Sequence, residues 1–181
     1  MQMKCYNTKF KNLIIVKSKR FVDSRGEFRE LFKKNKQKEK KDFRFTCYSL
    51  SKKNVLRGLH LQNPYPQGKF VSVVKGKILD VVVDLRKNSK TFKEHFKIIL
   101  SSNNCKSLYV PEGFAHGFVA LDNINIVVYH LTEYRKKNNE IGISWNDKNL
   151  NINWKIKNPI LSKKDKFNNI SFDDYEKKYI L

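Results

Sequence analysis

Residues 69–85 read KFVSVVKGKILDVVVDL. Two β-branched runs, Phe70–Val74 and Ile78–Leu85, flank Lys75-Gly76-Lys77. Both read as strands, and the tripeptide between them is a compact hairpin signal. The same texture repeats on either side. Phe43 to Leu50 alternates with period two, with Phe43, Phe45, Cys47 and Ser49 on one side and Arg44, Thr46, Tyr48 and Leu50 on the other. Residues 10–22 read as a first strand, and Asp23-Ser24-Arg25-Gly26 as a turn by its chemistry. Glu27 to Phe32 reads as a strand or a short helix. His95–Leu100, Leu108–Val110, Phe114–Leu121 and Ile124–Leu131 add further strands. So many short strands within about 120 residues predict an all-β antiparallel sandwich or barrel. The tail differs. Residues 145–160 are mixed, and Phe172 to Tyr179 carries its acids early and Lys177 and Lys178 late, as a short terminal helix does. No repeat, linker or boundary interrupts the chain, so residues 1–181 are expected to form one domain.

The 181 residues allow a real core, and 13% aromatic content argues against disorder. No apolar run reaches a membrane span and no signal-peptide pattern opens the chain, which predicts a cytoplasmic protein without a membrane partner. Cys5, Cys47 and Cys105 are odd in number and form no CxxC pair, so three reduced thiols are expected. The net charge of +21 points to nucleic acid or to an anionic small molecule. The lysines are scattered among asparagine and isoleucine. The densest run, Lys33 to Lys41, has no interleaved aromatics and reads as a solvated loop. An anionic, nucleotide-type ligand is the better expectation, and no nucleic-acid partner is predicted.

The chemistry concentrates around Arg57-Gly58-Leu59-His60-Leu61-Gln62, followed after a short loop by Lys69. A phosphate-binding guanidinium, a titratable imidazole and a second cation stand close together. Partners are available elsewhere. Pro111 to Phe118 (PEGFAHGF) places His116 after a turn. Asp80 and Asp84 share one face of an apolar strand, where a buried carboxylate needs a partner such as histidine. Tyr129 lies in an apolar strand, and Asp165 is flanked by Ser162-Lys163-Lys164. Taken singly, Tyr129 is an ordinary strand aromatic, Asp165 a turn residue and His116 a structural histidine. A metal at His60 and His116 is not expected, because position 62 is Gln rather than His and no Glu follows at short range.

The set as a whole resembles the dTDP-4-dehydrorhamnose 3,5-epimerase family. Its elements are DSRGEFRE at 23–30, RGLHLQ at 57–62, DVVVDLR at 80–86, PEGFAHGF at 111–118, Trp145-Asn146-Asp147 and Ser162-Lys163-Lys164-Asp165. The order and spacing hold from about residue 10 to 170. The resemblance implies a cupin jelly-roll β-sandwich or barrel with short C-terminal helical segments, a homodimer, no metal and no organic cofactor. It implies inversion of C3, C5 or both on a nucleotide-linked 4-keto-6-deoxy sugar, in sugar biosynthesis for surface polysaccharide such as capsule or lipopolysaccharide. By residue, it implies His60 as base, Asp165 as its orienting partner, Lys69 facing the developing oxyanion and Tyr129 as acid. His116, braced by Asp84, would bind oxyanion or sugar. Arg57 matches a phosphate ligand. Arg25 and Glu30 match ligands supplied by the neighbouring subunit. Phe28, Gln62, Tyr134, Glu140 and Lys164 also fall at substrate-binding positions.

One place departs from the pattern. Family members that read thymine typically carry Gln-x-Asn on the strand before RGLH, and here that strand shows Phe45-Thr46-Cys47. An aromatic and a thiol replace two amides that could pair with a pyrimidine edge. The expected substrate is therefore a GDP-linked sugar or heptose as readily as a dTDP-linked one. Other readings of the same residues are an epimerase acting at one carbon, a 3,4-ketoisomerase of the same fold, or a non-catalytic cupin that binds a sugar or nucleotide.

Overall fold

The computed structural model describes residues 3–33 and 42–180. The basic run from Lys33 to Lys41 lies outside the described residues from residue 34 onward.

Thirteen strands form among the described residues. The six-stranded sheet is ordered β1 (Lys4–Asn7), β2 (Ile14–Lys17), β10 (Lys106–Val110), β7 (Lys69–Lys75), β12 (Ile124–Leu131), β5 (Phe45–Lys52). The five-stranded sheet is ordered β13 (Glu140–Gly142), β6 (Leu56–Gln62), β11 (Phe114–Ala120), β8 (Lys77–Asp84), β9 (His95–Ser101). A separate hairpin joins β3 (Arg20–Asp23) to β4 (Gly26–Arg29) through the turn predicted at Ser24-Arg25. Pairings between these strands are antiparallel. The expected all-β jelly roll is observed.

Some local readings change. Lys75-Gly76-Lys77 is not a hairpin: β7 and β8 lie in different sheets. Both flanks of β7 are already occupied, by β10 and β12, so the chain must leave the sheet. Gly76, at φ +81°, makes the departure possible; a Cβ there would stand 2.3 Å from the Ile124 carbonyl oxygen. The buried Asn125 fixes this crossover to the next one. Its Oδ1 accepts from the Lys77 amide at 3.0 Å, and its Nδ2 donates to the Ser51 and Asp122 carbonyls. Residues 10–22 are not one strand but parts of β2 and β3, because the chain passes from the sheet into the protruding hairpin. Of Glu27 to Phe32, Glu27 to Arg29 belong to strand β4 (Gly26–Arg29) and the rest is neither strand nor helix. The first strand, β1, is largely exposed, and no apolar alternation in the sequence marks it.

Between the sheets, Val71, Val73 and Val127 pack against Ile78, Val82 and Phe118. The far side of the five-stranded sheet is covered by the C-terminal segment. There Leu59, Leu61, Val81 and Val83 meet Trp154, Phe172 and Tyr175. Strand β8 is thus buried on both faces, which explains its nearly unbroken apolar run. Two short helices complete the segment, α1 (Lys163–Phe167) and α2 (Phe172–Tyr179), each started by a serine whose hydroxyl accepts a backbone amide. No helix among the described residues is long and apolar enough to cross a membrane.

Candidate active site

Toward the start of β7 and the end of β12 the apolar filling between the sheets gives way to polar side chains. A cavity of 660 Å³ lies there. Strand β6 supplies its first wall. Leu59 and Leu61 point outward into the C-terminal core, so His60 points inward. Strict alternation would turn Arg57 away from His60. The β6–β11 register shifts between these positions: His116 pairs with His60, but Phe118 pairs with Arg57. The bulge brings Arg57 to the cavity as well. Gly58 permits it. At φ +123° it lies so close to β11 that a Cβ would stand 2.5 Å from the Gly117 Cα and 2.8 Å from the His116 carbonyl oxygen.

His60 Nε2 lies 2.5 Å from Asp165 Oδ1. Asp165 is fixed in turn by the helix start: its amide donates to Ser162 Oγ at 3.1 Å, and that hydroxyl donates to Asp165 Oδ2 at 2.9 Å. Burial pushes the Asp165 carboxyl up, but hydrogen bonds from His60 and Ser162 and nearby positive charge hold it below its ordinary value. An ionised carboxylate only accepts, so His60 Nε2 carries the hydrogen and Nδ1 is the nitrogen that can take a proton.

The opposite wall is the six-stranded sheet. Tyr129 projects from β12, paired with Cys47 on β5, and its hydroxyl lies 2.9 Å from Ser49 Oγ. Burial raises the phenol well above its ordinary pKa, so it stays protonated. Lys69, at the start of β7, places Nζ 3.4 Å from the His60 carbonyl oxygen. Burial pulls its ammonium down to about 8, against the opposing pull of Glu140 and Asp80. Burial also pushes the Cys47 thiol up, against Lys69 and Arg135. His116 lies across from Tyr129, ring centroids 6.5 Å apart, and its Nε2 is 2.9 Å from Asp80 Oδ2.

The cavity thus brings together His60, Asp165, Tyr129, Lys69, His116 and Arg57, with Phe45, Cys47, Glu140 and Lys164 also on its walls. Tyr134 stands exposed beside it, stacked on Phe45 at 5.8 Å and 17°. Other expected site residues lie elsewhere. Asp84 does not brace His116. Both aspartates are diagonal to it, but donors in the following loop capture Asp84: Arg86 through Nε and Nη2, Ser89 and Thr91 through their hydroxyls. Asp80 is left for His116. Gln62 is not presented to a ligand either. It is buried, with Nε2 donating to the Tyr65 and Tyr134 carbonyls and Oε1 accepting from the Lys136 amide. Arg25 and Phe28 line a separate hollow on the β3–β4 hairpin, and Glu30 follows that hairpin. Sequence reasoning missed Arg135 and Gln67, which also line the cavity. They sit in loops whose approach to the cavity no periodicity encodes.

The comparisons with known proteins agree with this architecture. A family model described as dTDP-4-dehydrorhamnose 3,5-epimerase matches residues 7–173. The dTDP-4-dehydrorhamnose 3,5-epimerase of Shigella flexneri is 43% identical over 168 residues, covering 90% of this chain and 93% of that protein. A crystal structure of the Legionella pneumophila dTDP-6-deoxy-D-glucose-3,5-epimerase in complex with dTDP-4-keto-L-rhamnose superimposes with a TM-score of 0.86. It is 37% identical, covering 91% of this chain and 90% of that one. The Bacillus anthracis dTDP-4-dehydrorhamnose 3,5-epimerase, with TDP and PPi bound, gives a TM-score of 0.85 at 41% identity, covering 92% and 98%. The class is that of an isomerase on a cupin-like β-sandwich, a sugar epimerase of nucleotide-sugar biosynthesis. The chain belongs to the dTDP-4-dehydrorhamnose 3,5-epimerase family.

Proposed function

We propose that this chain epimerises a nucleoside-diphosphate-linked 4-keto-6-deoxy sugar at one or both of the carbons flanking the ketone, C3 and C5. One observation carries the reading: His60, backed by Asp165, and Tyr129 enter a single cavity from opposite sheets, with Lys69 in the same cavity. His60 Nδ1 takes the proton from the carbon next to the carbonyl, and the electron pair moves onto the C4 oxygen. The Lys69 ammonium, with His116 held by Asp80, stabilises that enolate oxygen. Tyr129 returns a proton to the opposite face, and solvent restores both groups. Arg57 and Lys164 meet the diphosphate.

In this reading the substrate is a GDP-linked 4-keto-6-deoxy sugar or heptose, with the dTDP-linked sugar as the alternative. Phe45 and Cys47 offer the base an aromatic face and a weakly hydrogen-bonding thiol in place of the two amides that could pair with the edge of thymine. Calorimetric titration with dTDP and GDP tests this, and tighter dTDP binding overturns it. A homodimer belongs to the same reading. The β3–β4 hairpin leaves Val22 69% and Phe28 59% exposed, apolar surface that a second copy would cover while delivering Arg25 and Glu30 to its site. A cytoplasmic location fits Cys5, Cys47 and Cys105 standing as free thiols.

The deciding experiment is incubation with nucleotide-linked 4-ketosugars in heavy water, followed by mass spectrometry and NMR. Deuterium at C3, C5 or both, with inversion, is expected. A product whose carbonyl has moved to C3, or no exchange with any such sugar, overturns the reading.

A further inference from the structure

Arg135 follows Tyr134 in the loop between β12 and β13 and lines the cavity. Its guanidinium is held from one side. Nη2 lies 2.9 Å from Glu140 Oε2, and Nε lies 3.4 Å from Oε1. The same carboxylate takes Lys164 Nζ at 2.5 Å. One anion therefore fixes two cations from separate segments of the chain. The layering has a direction: the Glu140 side chain is 17% exposed, against 63% for Arg135 and 37% for Lys164. The carboxylate lies beneath and the cations stand out. Burial pushes the Glu140 carboxyl up, but Arg135 and Lys164 bring it down to about 2, so it is ionised throughout the working range.

The backbone on both sides of Arg135 is pinned by the buried Gln62 amide, which holds the Tyr134 carbonyl and the Lys136 amide. The loop bearing Arg135 is thus set before any ligand arrives. A lone carboxylate on the wall of a site for an anionic substrate would repel it. A carboxylate already paired with two cations leaves a net positive charge and presents a guanidinium, whose planar donors suit phosphate oxygens.

We propose that Arg135 is a ligand of the substrate diphosphate, and that Glu140 is a positioning residue that holds Arg135 and Lys164 toward it. This rests on reading the cavity as a nucleotide-sugar site. It assigns Glu140 an indirect role and Arg135 a direct one.

The test is titration of wild type, Arg135→Met, Arg135→Lys and Glu140→Gln with GDP, dTDP and the unphosphorylated nucleosides, alongside steady-state kinetics. Arg135→Met is expected to weaken nucleoside-diphosphate binding about tenfold, as loss of a charge-assisted contact does. Nucleoside binding should not change. KM should rise while kcat stays within about twofold, the pattern of lost uniform binding. Arg135→Lys should fall between. Glu140→Gln decides the sign: a clamp predicts weaker diphosphate binding, whereas a merely repulsive carboxylate predicts tighter binding once neutralised. Equal diphosphate binding by wild type and Arg135→Met, or tighter or unchanged binding by Glu140→Gln, overturns the proposal. A wild type that binds neither GDP nor dTDP overturns the reading of the cavity itself.

Discussion

His60 and Lys69 make separable demands on the chemistry. His60→Ala removes the base but leaves the cavity's cations in place. It should abolish solvent deuterium exchange into a 4-ketosugar while nucleotide binding stays nearly unchanged; surviving exchange would remove His60 from the base role. Lys69 predicts the pH profile. Its ammonium is held near 8 by burial, so the charge that steadies the enolate oxygen is present below that pH and lost above it. In this reading kcat/KM falls as pH rises through about 8, and Lys69→Arg, whose charge persists, shows no such limb. The stability sign is the reverse. Between the folded value near 8 and the ordinary lysine range the unfolded chain binds more protons, so stability rises with pH across that window. Below about 8 the ammonium is a cost to the fold. Lys69→Met should accordingly stabilise the protein at neutral pH, on the order of 2 kcal/mol in denaturant melts, while losing activity.

At the scale of the strand, β6 decides the site. Its bulge turns Arg57 to the side of His60, and Gly58 is the residue that lets β6 and β11 approach closely enough for it. Gly58→Ala must accommodate a Cβ against the backbone of Gly117 and His116 as well as a positive φ, and should cost about 3 kcal/mol of stability in a chemical melt. A change under about 0.5 kcal/mol, typical of an unconstrained surface position, would contradict this packing. The sequence marked Arg57-Gly58-Leu59-His60 as a motif carrying an arginine and a histidine. It could not give the register shift, because strict alternation separates the two. The crossover at Gly76 is similar: Lys75-Gly76-Lys77 has hairpin chemistry, and only the occupation of both β7 flanks sends the chain to the other sheet. Helix α2, by contrast, begins at Phe172 and ends at Tyr179 as its local charge pattern predicts.

At the scale of the whole molecule, the β3–β4 hairpin stands apart from the two main sheets, with an Arg25 side chain 88% exposed. If the proposed dimer delivers Arg25 to the neighbouring cavity, two inactive variants should complement each other. Mixed Arg25→Ala and His60→Ala chains, after subunit exchange, would contain hybrids with one intact site. They should recover about a quarter of wild-type activity on statistical mixing. No recovery, with hybrid dimers demonstrated, would place Arg25 outside the neighbour's site.

The amino-acid order by itself determined the strand-rich class, the terminal helix and most of the residues that meet in the cavity, because hydrophobic period and side-chain chemistry are local properties. It placed His60, Lys69, Tyr129 and Asp165 among the candidates without any measure of their separation. Only the tertiary structure decided the partners. Asp80 rather than Asp84 holds His116, because Arg86, Ser89 and Thr91 capture Asp84 first. Gln62 serves the loops instead of a ligand, and Arg135 reaches the cavity through a loop whose path is set by hydrogen bonds to the Gln62 side chain. Which of two equivalent carboxylates finds a histidine depends on competing donors brought in by the fold, and no pattern along the chain encodes that competition.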